Sequence, residues 1–92
     1  MGGIEFNMLI VLPPQSKKSK DWPFMEASIK TLENIPDTWK QYPDTDAGAM
    51  AIIKMEFNEL TAAASSVVAT KQELVHLASA CLYMWRKLSN DE

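Results

Sequence analysis

Apolar side chains recur at helical spacing in the second half of the chain. They stand in steps of three and four, at Met50, Ile53, Phe57, Leu60 and Ala64. Residues three or four apart lie on one side of a helix, so this stripe predicts an amphipathic helix with one buried face. Acidic residues at Asp44 and Asp46 suit the positive N-terminal end of such a helix. We therefore predict a helix over residues 46–65.

A second apolar stretch predicts another helix over residues 70–88. Thr70 and Glu73 have the spacing of a capping box, in which a Thr N-cap and a Glu three residues later satisfy free backbone N–H groups. A turn is then expected over 65–69. Apolar residues cover much of the circumference of this helix, which is typical of a helix buried on more than one side. They are Leu74, Val75, Leu77, Ala78, Cys81, Leu82, Met84, Trp85 and Leu88.

The first half of the chain has a weaker helical pattern that prolines interrupt. Asp21 is a good N-cap and Pro23 is tolerated in a first turn, so a shorter helix is predicted over 24–34. One further turn, over 38–42, carries Trp39. The candidates for burial on the short helix are Phe24, Ile29 and Leu32.

The N-terminal residues 1–20 differ in character from the rest. Residues 4–12 are apolar and predict a short strand or an extended arm, which Pro13 ends. They lack the basic leader and the small-residue cleavage site of a signal peptide. Residues 15–20 contain three lysines and predict a polar loop. These lysines are either solvated or placed to attract a phosphate.

Together the elements predict an all-α fold, a helical hairpin with a shorter N-terminal helix, in a single domain over residues 1–92. A chain of 92 residues is too short for two independent cores. The hairpin is richer in apolar residues than one hairpin can hide. A second copy of the chain is therefore expected to complete the bundle.

Composition narrows the classes of partner and compartment. Apolar residues make up 47% of the chain and charged residues 23%, as in globular proteins. The net charge of −3 argues against a nucleic-acid partner, which needs a basic surface. No apolar run approaches the roughly 20 residues that span a bilayer, so no membrane partner is expected. A single cysteine fits a reducing compartment, and we expect the protein to be cytoplasmic.

The candidate chemistry lies in two pairs of residues with the same spacing. Glu56 and Glu59 form one pair, and Glu73 and His76 form the other. If the chain folds back near residue 66, Glu56 comes level with His76 and Glu59 with Glu73. Carboxylates that converge in a bundle repel one another unless a cation or protons neutralise them. Oxygen ligands of this kind suit Mg²⁺ or Mn²⁺, so the spacing indicates a divalent-cation site.

Each of these residues also has an ordinary structural interpretation. Glu56 and Glu59 fit a solvated helix face, Glu73 fits the capping box, and His76 fits a core or an interface. The face that carries His76 continues through polar residues that either contact a phosphate or a base, or are helix-surface polarity and a favourable basic C-terminus. These candidate nucleotide-binding residues are Ser79, Tyr83, Arg86 and Lys87.

The motif Glu56-x-x-Glu59, an intervening stretch and Glu73-x-x-His76 resembles the MazG-like all-α nucleoside triphosphate pyrophosphohydrolases. The resemblance covers about residues 49–88. It implies a homodimer or homotetramer of helical bundles that binds a divalent cation at these acidic positions. It also implies hydrolysis of a nucleoside triphosphate between the α and β phosphates, which gives a monophosphate and pyrophosphate. Glu56, Glu59 and Glu73 match the first three family ligands, and we take Glu59 also as the catalytic residue.

The fourth position departs from the family, because His76 stands where the family has Asp. Ser79 likewise stands where many members have Asn. A neutral imidazole ligates Mn²⁺ or Zn²⁺ but is a poor ligand for Mg²⁺. Three functions follow as hypotheses. The chain is a pyrophosphohydrolase that uses Mg²⁺ or Mn²⁺, a catalytically degenerate module that binds a nucleotide or a protein, or a small helical oligomerisation protein.

Overall fold

The computed structural model describes residues 19–90, and these residues form an all-α structure without strands. The predicted fold class is confirmed for this part of the chain. The arm predicted over 4–12 and most of the basic loop lie outside the described residues. In chain order the elements are α1 (Trp22–Thr31), a 3₁₀ turn (Asp37–Gln41), α2 (Asp46–Ala62) and α3 (Val67–Asn90).

Helix α1 packs across the long helix α3 through a buried serine. Ser28 is buried on α1, and its carbonyl oxygen lies 3.1 Å from the hydroxyl of Ser79 on α3. The predicted burial of Phe24 and Ile29 is wrong for the isolated chain, since both are exposed. Leu32 packs against the core as predicted. Ser28 and Ser79 are the buried residues of this contact, and their small side chains allow the two helices to approach closely.

Helix α2 begins where the acidic residues predict, but its buried face is not the predicted stripe. The Thr45 hydroxyl accepts a hydrogen bond from the Gly48 N–H at 3.0 Å, which caps the first turn. The buried residues are Gly48, Ala49, Ile52 and Glu56. From the predicted stripe, Met50 and Phe57 are exposed, whereas Ile53 packs against the core and Leu60 is half-buried. The helix is apolar on more than one side, and the segment that carries Trp39 covers the side with the smaller residues.

The predicted capping box at the start of α3 is wrong. The helix begins at Val67, one residue after Ser66, whose hydroxyl accepts a hydrogen bond from the Ala69 N–H at 3.2 Å. Thr70 lies inside the helix, where its hydroxyl donates to the carbonyl oxygen of Ala63 at 2.9 Å. Glu73 therefore has no role at a helix N-terminus, and its side chain is available for other contacts.

The core is small, and it lies where the 3₁₀ turn meets α2 and α3. Trp39, Ile52 and Ala80 form its centre. Several large apolar side chains remain exposed on the isolated chain, among them Phe24, Met25, Ile29, Phe57, Leu74 and Trp85. The second copy expected to cover such side chains stays a prediction. Within residues 19–90, no helix combines the length and the apolarity needed to cross a bilayer.

Candidate metal centre

Glu56 is a buried carboxylate on α2 with one partnered oxygen. Its residue is 2% exposed, because it continues the buried stripe of Ala49 and Ile52. Oε2 accepts a hydrogen bond of 2.7 Å from the indole N–H of Trp39. Oε1 is buried and has no hydrogen-bond partner among the described residues. An unpaired buried polar group costs about 1–3 kcal/mol, and more when it is charged. Such an atom indicates a site for a ligand.

Glu73 and His76 approach that oxygen from α3. The Nδ1 atom of His76 lies 3.3 Å from Oε1 of Glu73 and 3.9 Å from Oε1 of Glu56. Glu73 is half-buried and the side chain of His76 is 39% exposed, so the cluster has a dry side and a side open to solvent. Each of the three residues offers a ligand atom, and these atoms lie within 4.8 Å of one another. We call Glu56, Glu73 and His76 the metal-ligand cluster.

The distances in the cluster are close to those around a bound cation. Ligands about 2.1 Å from a tetrahedral ion lie about 3.4 Å apart. Neighbouring ligands about 2.1 Å from an octahedral ion lie about 3.0 Å apart. The separations at the His76 Nδ1 atom are 3.3 and 3.9 Å, but the three ligand atoms together spread over up to 4.8 Å. Two carboxylates and an imidazole are therefore suitable ligands for one divalent cation, and their side chains must draw closer together to hold it.

Glu59 lies outside this cluster. Among the described residues, the structure brings together Glu56, Glu73 and His76 but leaves Glu59 exposed, one helical turn beyond Glu56. Glu59 instead lines an open groove of about 500 Å³ together with Tyr42, Lys54 and Asn58. The predicted proximity of Glu56 and His76 is present in the structure. The role of Glu59 as a metal ligand stays a prediction.

Ser79 contacts protein atoms rather than the open side of the cluster. The side chain is buried, and its hydroxyl lies 2.6 Å from the carbonyl oxygen of Val75 and 3.1 Å from that of Ser28. The single hydroxyl proton donates to one of these oxygens at a time. Ser79 therefore contributes to the contact between α1 and α3, and its predicted contact with a nucleotide is untested.

Tyr83 and Lys87 are held by Asp44, a residue that the sequence analysis placed only at the start of a helix. The ammonium group of Lys87 forms an ion pair with Asp44 and lies 5.2 Å from the centroid of the Tyr83 ring. The Tyr83 hydroxyl lies 3.5 Å from the same carboxylate. We call Asp44, Tyr83 and Lys87 the clasp. Arg86, the fourth predicted nucleotide-binding residue, is exposed.

We expect the clasp to make stability depend only weakly on pH at both extremes, because the Asp44 side chain is 85% exposed and solvent screens the ion pair. The Lys87 ammonium, which donates a hydrogen bond to Asp44, holds the pKa of that carboxyl below its ordinary range. The same hydrogen bond raises the pKa of Lys87. A lowered Asp44 pKa contributes stability above about pH 4, which is lost as the pH falls through the folded-state value. A raised Lys87 pKa contributes stability below about pH 10, which is lost as the pH rises further.

Replacing Lys87 with methionine (Lys87→Met) is expected to lower the free energy of unfolding near neutral pH. The difference from the wild type is expected to shrink as the pH falls through the lowered pKa of Asp44, because protonation of that carboxyl removes the ion pair. Urea unfolding at pH 7 and pH 3, at low and high salt, measures both effects. Lys71→Met, at an exposed position on the same helix, is the matched control. A loss of stability that is equal at both pH values would show that the ion pair contributes nothing.

Two contacts at the site were missed by sequence reasoning. The sequence places Trp39 on a helical turn and does not predict its hydrogen bond to Glu56. Asp44 was assigned to a helix N-terminus, and its contact with Lys87 was not predicted. One signal was present, because Ala49, Ile52 and Glu56 stand at steps of three and four. A Glu that continues an apolar stripe is expected to be buried and to need a partner.

Comparisons of the chain with protein-family models, with curated proteins and with solved structures found no match. The function proposed below therefore depends on the geometry of the metal-ligand cluster and on the spacing of the motif.

Proposed function

We propose that the chain binds one divalent cation through Glu56, Glu73 and His76 and hydrolyses nucleoside triphosphates to nucleoside monophosphates and pyrophosphate. The observation that carries the proposal is the buried Oε1 atom of Glu56, which has no hydrogen-bond partner in the part of the chain that the structure describes and lies 3.9 Å from Nδ1 of His76. A cation would satisfy this oxygen and neutralise the two converging carboxylates. The reaction itself is proposed from the resemblance of the motif to the MazG-like enzymes.

The ligand set favours Mn²⁺ over Mg²⁺. An imidazole nitrogen suits Mn²⁺ or Zn²⁺, whereas Mg²⁺ prefers oxygen ligands and keeps several waters. The two carboxylates carry two negative charges, which a divalent cation balances while His76 stays neutral. The exposed side of His76 leaves room for water and for phosphate oxygens. When bound, a divalent cation supplies charge neutralisation at phosphorus and promotes the attack of water.

Glu59 is the proposed base of the reaction. It is exposed beside the groove of about 500 Å³, outside the metal-ligand cluster, so its carboxylate is available to take a proton from the attacking water. If water attacks the α phosphorus, the bond from that phosphorus to the bridging oxygen breaks and pyrophosphate leaves with the bridging oxygen. If water attacks the β phosphorus, the bond from that phosphorus to the bridging oxygen breaks and pyrophosphate leaves with the added oxygen. Lys54, which lines the same groove, supplies a positive charge for the polyphosphate, and Asn58 supplies a hydrogen-bonding amide.

The reaction is tested by measuring pyrophosphate release from a panel of ribo- and deoxynucleoside triphosphates with Mn²⁺, with Mg²⁺ and with no metal. We expect release with Mn²⁺ to exceed release with Mg²⁺. Glu59→Gln should reduce the rate by about 100-fold or more, since a general base contributes about 10²–10⁴-fold. His76→Asp should shift the preference toward Mg²⁺. An absence of pyrophosphate with every nucleotide and metal contradicts the proposed reaction.

We also propose that the active form is a homodimer or homotetramer. The support is the number of large apolar side chains that the isolated chain leaves exposed on α1, α2 and α3. A second copy would cover apolar surface of this kind, as in most helical oligomers. Sedimentation of the samples used in the assay measures the state directly, and a strictly monomeric chain contradicts the assembly.

A catalytically degenerate binding module is the second candidate function. The observation that favours it is the imidazole of His76 in the fourth ligand position, where the resembling enzymes have a carboxylate. Such a module would bind the cation, and through it a nucleotide, without breaking the phosphoanhydride bond. Tight binding of Mn²⁺ and a nucleotide together with no pyrophosphate release would identify this function and exclude the hydrolase.

A further inference from the structure

We propose that Trp39 is a positioning residue of the metal centre. Its indole N–H holds one oxygen of Glu56, so that only the other oxygen is presented to Glu73 and His76. Glu56 is thereby fixed as a ligand that contacts the cation through a single oxygen. This inference rests on the proposed metal site. It gives Trp39, a residue of the core, a function in selecting the cation.

The hydrogen bond between Trp39 and Glu56 is short and dry. Nε1 of Trp39 lies 2.7 Å from Oε2 of Glu56, and both residues are 2% exposed. A hydrogen bond to a carboxylate is stronger than one between neutral groups, and it is strengthened further where water is excluded. Both partners of the hydrogen bond are almost inaccessible to solvent. The carboxylate is therefore held in one orientation before any cation binds.

The indole is itself fixed from three sides. It lies on the 3₁₀ turn Asp37–Gln41 and packs with Ile52 and Ala80 in the core. Its ring lies 5.5 Å from that of Tyr83, centroid to centroid, with a tilt of 51°. Tyr83 belongs to the clasp. The clasp thus holds the tyrosine, the tyrosine limits the movement of the indole, and the indole orients Glu56.

A carboxylate with one oxygen held by Trp39 is a poor bidentate ligand. Ca²⁺ takes six to eight oxygen ligands and often uses both oxygens of one carboxylate. A smaller cation that accepts an imidazole and single carboxylate oxygens suits the constrained arrangement better. The hydrogen bond is therefore expected to raise affinity for Mn²⁺ and, separately, to raise the preference for Mn²⁺ over Ca²⁺.

The experiment measures Kd for Mn²⁺ and for Ca²⁺ by calorimetry, in the full chain and in two variants that lack the indole N–H. One variant is Trp39→Phe, and the other carries 3-benzothienylalanine at position 39, an isostere with sulfur in place of the N–H. Loss of a residue that orients a metal ligand weakens binding by about 10–100-fold, and we expect this for Mn²⁺. Ca²⁺ affinity should change less, so the ratio of the two constants should fall by about tenfold. Trp85→Phe, at a side chain that is 68% exposed, is the matched control and should change neither constant.

A second measurement follows the hydrogen bond without any cation. In a ¹H–¹⁵N spectrum of the metal-free chain, Glu56→Met, which removes both carboxylate oxygens, should shift the indole resonance of Trp39 and leave that of Trp85 in place. An indole resonance of Trp39 that stays unchanged in the Glu56 variant overturns the inference. Wild-type affinity and selectivity in the isostere variant overturn it too, with the metal site intact. If the wild type binds no divalent cation, the proposed function fails and takes the inference with it. The two failures are distinguishable, because the inference alone fails only when the wild type binds Mn²⁺.

Discussion

Replacing Glu56 with glutamine (Glu56→Gln) is expected to change metal affinity and stability in opposite directions. The buried Oε1 atom of Glu56 has no hydrogen-bond partner among residues 19–90. Removal of its charge leaves one carboxylate and one imidazole as ligands. We therefore expect Mn²⁺ affinity to fall by about 100-fold or more, since loss of a residue that only orients a ligand already lowers metal affinity by about 10–100-fold. Calorimetric titration with Mn²⁺ measures the loss.

The same change should stabilise the metal-free chain. The amide oxygen of glutamine still accepts the hydrogen bond from Trp39, and the amide N–H₂ group donates toward Glu73 or His76. Repulsion between two converging carboxylates is removed, and an unsatisfied buried oxygen is replaced by a donor with acceptors nearby. We expect the free energy of unfolding to rise by about 1 kcal/mol. Gain of stability with loss of function is common at sites that hold buried polar groups for a ligand.

Glu59→Gln is the matched control for this experiment. It makes the same chemical change one turn further along α2, at an exposed position outside the cluster. Both Mn²⁺ affinity and stability should stay close to wild type. Glu56→Gln that binds Mn²⁺ as tightly as the wild type would show that Glu56 is not a ligand. A strong loss of stability would show instead that the carboxylate is needed by the fold itself.

The sequence predicted the pairing of Glu56 with His76 because helical periodicity and a chain reversal near residue 66 are local properties. Residues three positions apart lie on the same face of a helix, and this follows from helix geometry alone. The hydrogen bond from Trp39 does not follow, because it joins residues 17 apart through a loop that the periodicity does not describe. Long-range contacts of this kind depend on how a loop packs on a helix.

The buried face of α2 shows why pattern alone chose the wrong stripe. Apolar residues stand on more than one side of this helix, so several stripes have the same period. Ala49 and Ile52 are buried and Met50 is exposed because the 3₁₀ turn and the segment after it cover that side. The choice depends on tertiary packing, which overrides local preference.

The start of α3 was ambiguous for a different reason. Ser66 and Thr70 are both good N-cap residues, and the Glu three positions after Thr70 favoured the later start. The structure begins the helix after Ser66 and uses the Thr70 hydroxyl to reach the carbonyl oxygen of Ala63. That hydrogen bond joins the end of α2 to the start of α3, and rules for capping within a single helix do not predict it.

Replacing Gly48 with alanine (Gly48→Ala) is expected to destabilise the chain, against the usual trend. In an ordinary helix this change is favourable by about 1 kcal/mol. A Cβ atom at Gly48 would lie 1.9 Å from the carbonyl oxygen of Pro43 and 2.9 Å from its carbonyl carbon. Both are backbone atoms, so no side-chain rotation relieves the overlap. We expect a loss of about 3 kcal/mol, at the upper end for overpacking, and a fall in Tm of roughly 15 °C.

The close approach at Gly48 also connects the fold to the metal centre. It lets the backbone at Pro43 lie against the first turn of α2, which brings Asp44 within reach of Tyr83 and Lys87. The segment just before it carries Trp39. Gly48→Ala should therefore weaken Mn²⁺ binding as well as lower Tm, although it touches no ligand. Thermal unfolding followed by circular dichroism, with calorimetry at a temperature where the variant is folded, measures both effects.

Ala47→Gly is the matched control, because it makes the reverse change at an exposed position in the same turn. It should cost only about 1 kcal/mol from helix propensity and leave Mn²⁺ affinity unchanged. A Tm for Gly48→Ala at or above the wild-type value would contradict the close approach. A lowered Tm with unchanged Mn²⁺ affinity would instead show that Gly48 affects stability but not the metal centre. The segment at Pro43 would then move without releasing the indole of Trp39 from Glu56.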